Sequence, residues 1–171
     1  MKKGFTLVEL LIVIVIIGIL VTISIPNYIS LVDRAKTASL KSNMHTVHAC
    51  VEEFAVLSGG AYPGGIDTKV SEVNSYIPPP DGERSIAAGA RIPPFPEGAL
   101  LRPHLGFKNP YNSYENSIDN LFSGPPAVPP SGCVYYTGYK DDNIPTQEGE
   151  PAIKYKISAF GKNKPLPEIL P

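Results

Sequence analysis

The sequence has little charge, little cysteine and none of the short motifs that carry enzymatic chemistry. Charged residues make up 18% of the 171-residue chain and the net charge is −1, so the composition does not indicate a nucleic-acid partner. It contains no glycine-rich phosphate loop, no nucleophile elbow, no zinc-protease helix and no Asn-x-Ser/Thr glycan acceptor. We therefore expect neither an enzyme nor a bound cofactor. A chain of this length fits one domain plus an anchor.

Residues 4–33 contain no lysine or arginine and include the longest apolar run of the chain. Residues 5–25 are almost purely aliphatic, and as a helix they would span about 31 Å, enough to cross the hydrocarbon core of a bilayer. Lys2 and Lys3 precede the run and favour a cytoplasmic N-terminus, with the rest of the chain outside. Glu9 breaks the pattern, because a carboxylate near the bilayer centre costs about 3 kcal/mol and usually has a functional partner.

A secretory signal peptide is one interpretation of a basic tip followed by an apolar run. Such a peptide has a shorter apolar core and an A-x-A-like cleavage site. The run here ends in Val-Thr-Ile-Ser-Ile before Pro26, which matches that pattern poorly. Cleavage before the run, at Gly4, would instead keep the apolar segment in the mature chain.

Residues 1–13, with the sequence MKKGFTLVELLIV, resemble the class III leader and N-terminus of type IV prepilins and type II secretion pseudopilins. The shared features are a small residue, then Phe and Thr, a Glu at the fifth position after the cut, and an unbroken apolar helix. The resemblance implies that a prepilin peptidase cleaves between Gly4 and Phe5 and N-methylates Phe5.

The resemblance also implies a role in assembly for Glu9, which would pair with the Phe5 amine of a neighbouring subunit in a filament. Elementary electrostatics favours this pairing, because a carboxylate in an apolar layer needs a cation. No lysine or arginine lies between Phe5 and Asp33, so the α-amine created by cleavage would supply that cation. An unpaired, protonated Glu9 is the alternative.

Helical periodicity continues beyond the apolar run. Apolar side chains recur at three- and four-residue steps up to Ala55, with charged residues between them, and Ser58-Gly59-Gly60 is a strong stop. We predict one helix over about 5–58, kinked near Pro26, where a backbone hydrogen bond is lost. Gly18 and Pro26 match the positions at which the long helix of the resembled family bends or melts.

The predicted organisation has four parts. They are a leader over 1–4, a transmembrane or filament-core half-helix over 5–25, an amphipathic half-helix over 26–58 and a globular domain over 59–171.

The globular domain begins with a proline-rich region. Thirteen of the 19 prolines lie between Pro63 and Pro130, a density that excludes long helices and central strands. Scattered apolar residues favour ordered loops over disorder, with short elements near 68–77 and 97–105.

Two strand patterns follow in the last third of the chain. Residues 133–139 are β-branched and aromatic, and residues 152–160 alternate strictly. The alternation predicts one apolar face formed by Ile153, Tyr155, Ile157 and Ala159. The predicted fold is α+β and pilin-like, with the long helix packed on a small antiparallel sheet that carries proline-rich loops.

The two cysteines form a possible disulfide. Outside the cytoplasm a Cys50–Cys133 bridge could form, and by closing a long loop it would contribute about 4.5 kcal/mol. Two buried thiols are the alternative.

Two polar clusters contain residue types that bind metal ions. His45, His48 and Glu52 have helical spacing, but no further ligand cluster follows them. The acidic loop of Asp141-Asp142-Asn143, Glu148 and Glu150 lacks the spacing of a calcium loop. We expect no metal at either position.

The N-terminus therefore predicts a structural subunit of a type IV pilus. The inner membrane would hold the processed chain, and an assembly platform there would build it into a helical filament with itself or other pilins, ending in an extracellular pilus. A pseudopilin of a periplasmic type II secretion pseudopilus is one alternative. A singly anchored extracytoplasmic binding domain that does not polymerise is another, although such an anchor would have no use for Glu9. The proline-rich region slightly favours the pilin.

Overall fold

A single long helix, α1, begins at Leu7 and ends at Ser58 in the computed structural model, which describes residues 5–87, 98–101, 107–120, 131–141, 144–162 and 164–171. Its 52 residues include Pro26 and confirm the prediction of one helix ending before the glycine pair. Gly60 has a φ of +107°, and its amide donates to the Ala55 carbonyl oxygen at 2.7 Å, which ends the helix in a left-handed turn. The kink near Pro26 stays a prediction.

Residue contacts divide the chain into two compact units, Met1–Lys36 and Thr37–Pro171. In the first unit, every large apolar side chain from Phe5 to Leu31 is at least 42% exposed. The most apolar 18 residues of α1 have a mean hydropathy of 3.0 and none of them is buried, so by length and composition this helix could cross a membrane. Tyr28 and Leu31, which lie in the predicted amphipathic half-helix over 26–58, are also exposed.

In the second unit, α1 buries one face. Its buried residues are Leu40, Asn43, Met44, Val47, Cys50, Val51, Phe54, Ala55 and Ser58. They follow the three- and four-residue spacing of an amphipathic helix, as the sequence predicts.

The described strands form two small sheets. Strands β2 (Ile118–Asn120), β3 (Val134–Tyr139) and β5 (Lys154–Ala159) form one sheet in that order, and β1 (Tyr62–Pro63) pairs with β4 (Pro151–Ala152) in the other. The β3–β5 pair is antiparallel, as predicted for the two strand patterns in the last third of the chain. Strand β2 pairs with β3 in parallel, so this sheet is mixed, and the long helix packed on small sheets confirms the predicted α+β fold.

The core lies between the buried face of α1 and the apolar face of the β2–β3–β5 sheet. Val134 and Tyr136 of β3 contribute to it, together with Tyr155, Ile157 and Ala159 of β5. Ile153, predicted on the same face, is 56% exposed. The predicted alternation of buried and exposed residues does not extend to Ile153, because Ala152 pairs with Tyr62 in the other sheet and the chain bends before β5 begins at Lys154.

The described part of the proline-rich region contains a short helix, α2 (Val70–Val73), and a 3-10 turn over Asp81–Glu83. The helix confirms the element predicted near 68–77. The segment is tied to the core, since Ala87 donates to the Ile66 carbonyl oxygen at 2.8 Å and Leu101 donates to that of Ile86 at 2.9 Å. Part of the second predicted element and many of the prolines, at 88–97, 102–106 and 121–130, lie outside the described residues.

Candidate assembly site

The start of α1 is a capping box built by Thr6 and Glu9. The Thr6 backbone N–H donates to Glu9 Oε2 at 2.8 Å, and the Glu9 backbone N–H donates to Thr6 Oγ1 at 3.2 Å. The Thr6 hydroxyl also donates to Glu9 Oε2 at 2.8 Å. These reciprocal bonds satisfy amide donors that the first turn of a helix leaves without intrahelical partners. The arrangement fixes the Glu9 carboxylate beside the backbone of Thr6.

This cap gives Glu9 a hydrogen-bonding partner besides the cation predicted from the sequence. The Thr-x-x-Glu spacing before an apolar run is itself a capping-box signal, so the sequence already contains the information. Both hydrogen bonds that the Glu9 carboxylate accepts from Thr6 are made to Oε2, and Oε1 takes part in neither of them. Phe5, next to the cap, is 73% exposed. Gly4, the other residue of the predicted cleavage site, lies outside the described residues.

Polar side chains bond to the helix backbone between Gly18 and Pro26. Thr22 Oγ1 donates to the Gly18 carbonyl oxygen and Ser24 Oγ to that of Leu20, both at 2.7 Å. Such bonds to the carbonyl four residues back often bend a helix, and Pro26 removes one backbone hydrogen bond from the same stretch because it lacks an N–H. A methyl group at Gly18 would meet nothing within 4 Å, so space alone does not require glycine there.

Cys50 and Cys133 are both buried and no disulfide joins them. The structure therefore contains two buried thiols, which is the alternative to the bridge. Strand alternation explains the absence of a bridge. Val134 and Tyr136 face the core that contains Cys50, which places Cys133 and Tyr135 toward the opposite face of β3. Burial, and then the charges of Asp119 and Glu115, raise the pKa of Cys133 to about 12, so its thiol stays protonated and unreactive.

The two histidines do not converge on a third ligand. Among the described residues, no three His, Cys, Asp or Glu side chains are arranged to hold a metal ion. Glu52 instead accepts a hydrogen bond from the Tyr155 hydroxyl at 2.6 Å, and His48 Nε2 lies 3.9 Å from the same carboxylate oxygen. This contact links α1 to β5.

The acidic loop is hydrogen-bonded to residues of the proline-rich region. Glu148 accepts hydrogen bonds from Thr68 Oγ1 at 3.0 Å and from Asn120 Nδ2 at 2.8 Å, and burial raises its pKa above the ordinary value. Glu150 pairs with Lys140 Nζ at 3.0 Å. The carboxylates of Glu148 and Glu150 thus have structural partners, while Asp142 and Asn143 lie outside the described residues.

The N-terminal part of the chain is similar to known proteins. Residues 1–25 match the model of the prokaryotic N-terminal methylation motif. The chain is 44% identical over 53 residues to the type IV major pilin protein PilA of Myxococcus xanthus, a match that covers 31% of this chain and 24% of that protein. It is 40% identical over 76 residues to the type IV narrow pilus major component PilA5 of Thermus thermophilus, covering 36% of this chain and 66% of that protein.

One match extends well into the second unit. The type II secretion system core protein G of Pseudomonas aeruginosa is 29% identical over 129 residues, covering 72% of this chain and 88% of that protein. No solved structure matches the chain significantly. The chain therefore carries a prepilin-type N-terminus, and its relatives are type IV pilins and a type II secretion pseudopilin, which are structural proteins rather than enzymes.

Proposed function

We propose that the chain is a structural subunit of a type IV pilus, without catalytic activity of its own. A prepilin peptidase cleaves it between Gly4 and Phe5 and methylates the new amine of Phe5. The apolar part of α1 holds the mature chain in the inner membrane, with the N-terminus toward the cytoplasm, until an assembly platform adds it to a filament. The observation that carries this proposal is the exposed apolar part of α1, which Thr6 and Glu9 cap and which largely coincides with the methylation motif over residues 1–25.

The cap makes the role of Glu9 more specific. Because the Thr6 backbone and hydroxyl hold Oε2, the carboxylate is ordered before any neighbour arrives, and the Phe5 amine of a neighbouring subunit would meet a fixed acceptor. Leaving lipid for packed protein gains little from the hydrophobic effect, because lipid tails are as apolar as the helix. Pairing of this charge therefore contributes both to the stability and to the register of the filament.

A pseudopilin of a type II secretion system is the second candidate. The match to core protein G favours it, because that match covers 72% of this chain and so includes much of the globular unit, whereas the match to the Myxococcus pilin covers 31%. The proline density of the surface region and the higher identity to the pilins favour the pilus. Abundance of the mature chain in sheared surface fibres separates the two candidates.

Substitutions at the cap test the assembly role. Glu9→Gln keeps an acceptor for the Thr6 N–H but removes the charge, Glu9→Ala removes both, and Thr6→Val removes only the hydroxyl. We expect all three variants to be cleaved normally, which intact mass would verify. Both Glu9 variants should lose most of their filaments in a shearing assay, because the neighbour's amine then has no counter-charge, whereas Thr6→Val should retain most of them. Full filament formation by Glu9→Gln would contradict the charge pairing and leave the helix cap as the role of Glu9.

A further inference from the structure

Two tyrosines of the second unit are almost completely exposed, Tyr76 at 92% and Tyr114 at 90%. The other six tyrosines of this unit are buried or partly buried. Tyrosine is enriched in the central contacts of protein interfaces, where its ring supplies a large contact area and its hydroxyl a hydrogen bond. Neither ring contributes to the core of its own chain, so both are available for contact with a partner.

Both tyrosines stand in the same tripeptide, Asn-Ser-Tyr, and in the same local structure. The Tyr76 backbone N–H donates to Asn74 Oδ1 at 3.2 Å, and the Tyr114 backbone N–H donates to Asn112 Oδ1 at 3.1 Å. Each tripeptide is therefore an asparagine turn that presents a tyrosine at its third position. We name residues 74–76 and 112–114 the two Asn-Ser-Tyr turns.

Each turn is also attached to the scaffold. Asn74 Nδ2 donates to the Ser58 carbonyl oxygen at 3.0 Å, and the Asn112 backbone N–H donates to Asn109 Oδ1 at 3.0 Å. Asn109 is itself buried and donates through Nδ2 to the carbonyl oxygens of Asn116 and Ser131. Because the turns are held in place before contact, binding through them costs little additional ordering.

The turns mark opposite ends of the portion of α1 that belongs to this unit. The first turn is attached to Ser58, the last residue of α1. Close to the second turn, the Tyr111 hydroxyl lies 3.2 Å from Thr37 Oγ1, at the first residue of the unit. At 1.5 Å per residue, Thr37 and Ser58 are about 32 Å apart along the helix.

We propose that the two Asn-Ser-Tyr turns are the two halves of a head-to-tail contact between successive copies of this chain, an inference that rests on the proposed filament function. A contact between two different patches on the same chain does not close on itself as an isologous dimer does, and it can propagate into a filament. Patches at opposite ends of one helix segment meet that requirement. The partner of each turn is a second copy of the chain.

The charges near the two turns are complementary. Residues 66–84, which contain the first turn, hold four carboxylates and two cations. Residues 37–45 and 107–117, around the second turn, hold two lysines and one carboxylate. Opposite net charges steer the first turn of one chain toward the second turn of another. They also disfavour contact between identical turns of two chains, which carry like charge.

Crosslinking in intact filaments tests the contact. A variant with both Tyr76→Cys and Tyr114→Cys, treated with a short bismaleimide, should give a ladder of multimers on a denaturing gel. Each single variant should give monomer only, and filaments of mixed single variants should give dimers only. The native thiols of Cys50 and Cys133 are buried and should contribute little background. The control pairs Tyr76→Cys with Val56→Cys, an exposed position on the last turns of α1.

The outcomes separate this inference from the proposed function. If the unmodified chain forms no filaments, the proposed function fails before any crosslink is made. If filaments form but the double variant gives no ladder, or the control pair gives an equal one, the head-to-tail contact is wrong and the filament role stands. Dimers from a single variant would point to an isologous contact and also overturn it.

A second pair of variants covers the case in which the double cysteine chain does not assemble. Tyr76→Ser and Tyr114→Ser remove rings that contact little of their own chain, so the melting temperature should not change. Each should lower the yield of sheared filaments by about tenfold, as loss of an interface aromatic commonly does. Unchanged filament yield in both variants would overturn the inference.

Discussion

The two parts of α1 contain the same apolar residue types, but these side chains are exposed in the first part and largely buried in the second. In the first unit, leucine, isoleucine and valine cover the whole circumference of the helix, and from Leu7 to Leu31 all of them are exposed within the chain. In the second unit, most of the similar side chains lie on one stripe that is buried against the sheet, and Val56 is an exposed exception. An apolar surface that the fold of its own chain does not cover marks the place where lipid or other subunits must act. The comparison therefore separates residues that hold the unit together from residues reserved for assembly.

The largest expected effect is a loss of stability that depends on which part of α1 is altered. Phe54→Ala should destabilise the chain by about 3–5 kcal/mol, because it leaves a cavity in the core of the second unit. Leu11→Ala, on the exposed part, should leave the free energy of unfolding of that unit unchanged. Thermal unfolding of the full chain in detergent measures both.

The matched control for Phe54 is Val56→Ala, on the same helix two residues further on. Val56 is 82% exposed, so this change should stay within about 0.5 kcal/mol of wild type. A Leu11 variant as unstable as Phe54→Ala would show that the N-terminal part belongs to the folded core and would remove the basis of the comparison.

A smaller effect is expected at the contact between α1 and β5. Tyr155→Phe removes the hydroxyl that donates to Glu52 at 2.6 Å and should cost about 1 kcal/mol. Tyr28→Phe, on the exposed part of α1, should cost nothing measurable. In a double-mutant cycle with Glu52→Gln, additive losses would mean that the hydroxyl and the carboxylate do not interact.

The smallest expected effect is that of a reducing agent, which should not change the melting temperature. A Cys50–Cys133 bridge would have contributed about 4.5 kcal/mol to stability through loop closure. Two buried thiols contain no bond that a reductant can break, so the stability of the chain should not change. The native chain should also resist alkylation at pH 8, because the pKa of Cys133 is about 12 and both thiols are buried. A clear fall in melting temperature with the reductant would contradict the unbridged arrangement.

Much of this fold was predictable because periodicity in a long element is a strong signal. The extent of α1 followed from its apolar spacing and from Gly59-Gly60, and the face of β5 followed from its alternation. The position of Cys133 could have been predicted as well, because the alternation of β3 already assigns it to the face opposite Tyr136.

Other features depended on pairing partners that are distant in sequence. Strand β2 is three residues long and includes Asp119 and Asn120, so nothing in its composition indicates a strand, and still less a parallel one. Ile153 fits the alternation of β5 but is exposed, because Ala152 pairs with Tyr62 of β1, some 90 residues away. At the candidate site, the sequence predicted Glu9 and its charge but not the Thr6 cap, although the Thr-x-x-Glu spacing of that cap is present in the sequence.

The most direct test of the account is the state of the N-terminus in two cell fractions. Intact mass and N-terminal sequencing should be carried out on sheared surface fibres and on membranes, in cells with an active prepilin peptidase. The account predicts a chain that begins at methylated Phe5 and is abundant in the sheared fraction, and a Gly4→Leu variant that keeps its full mass and is absent from that fraction. A Phe5 start found only in membranes would favour the pseudopilin. A wild-type chain that still begins at Met1 in both fractions would contradict processing and assembly altogether.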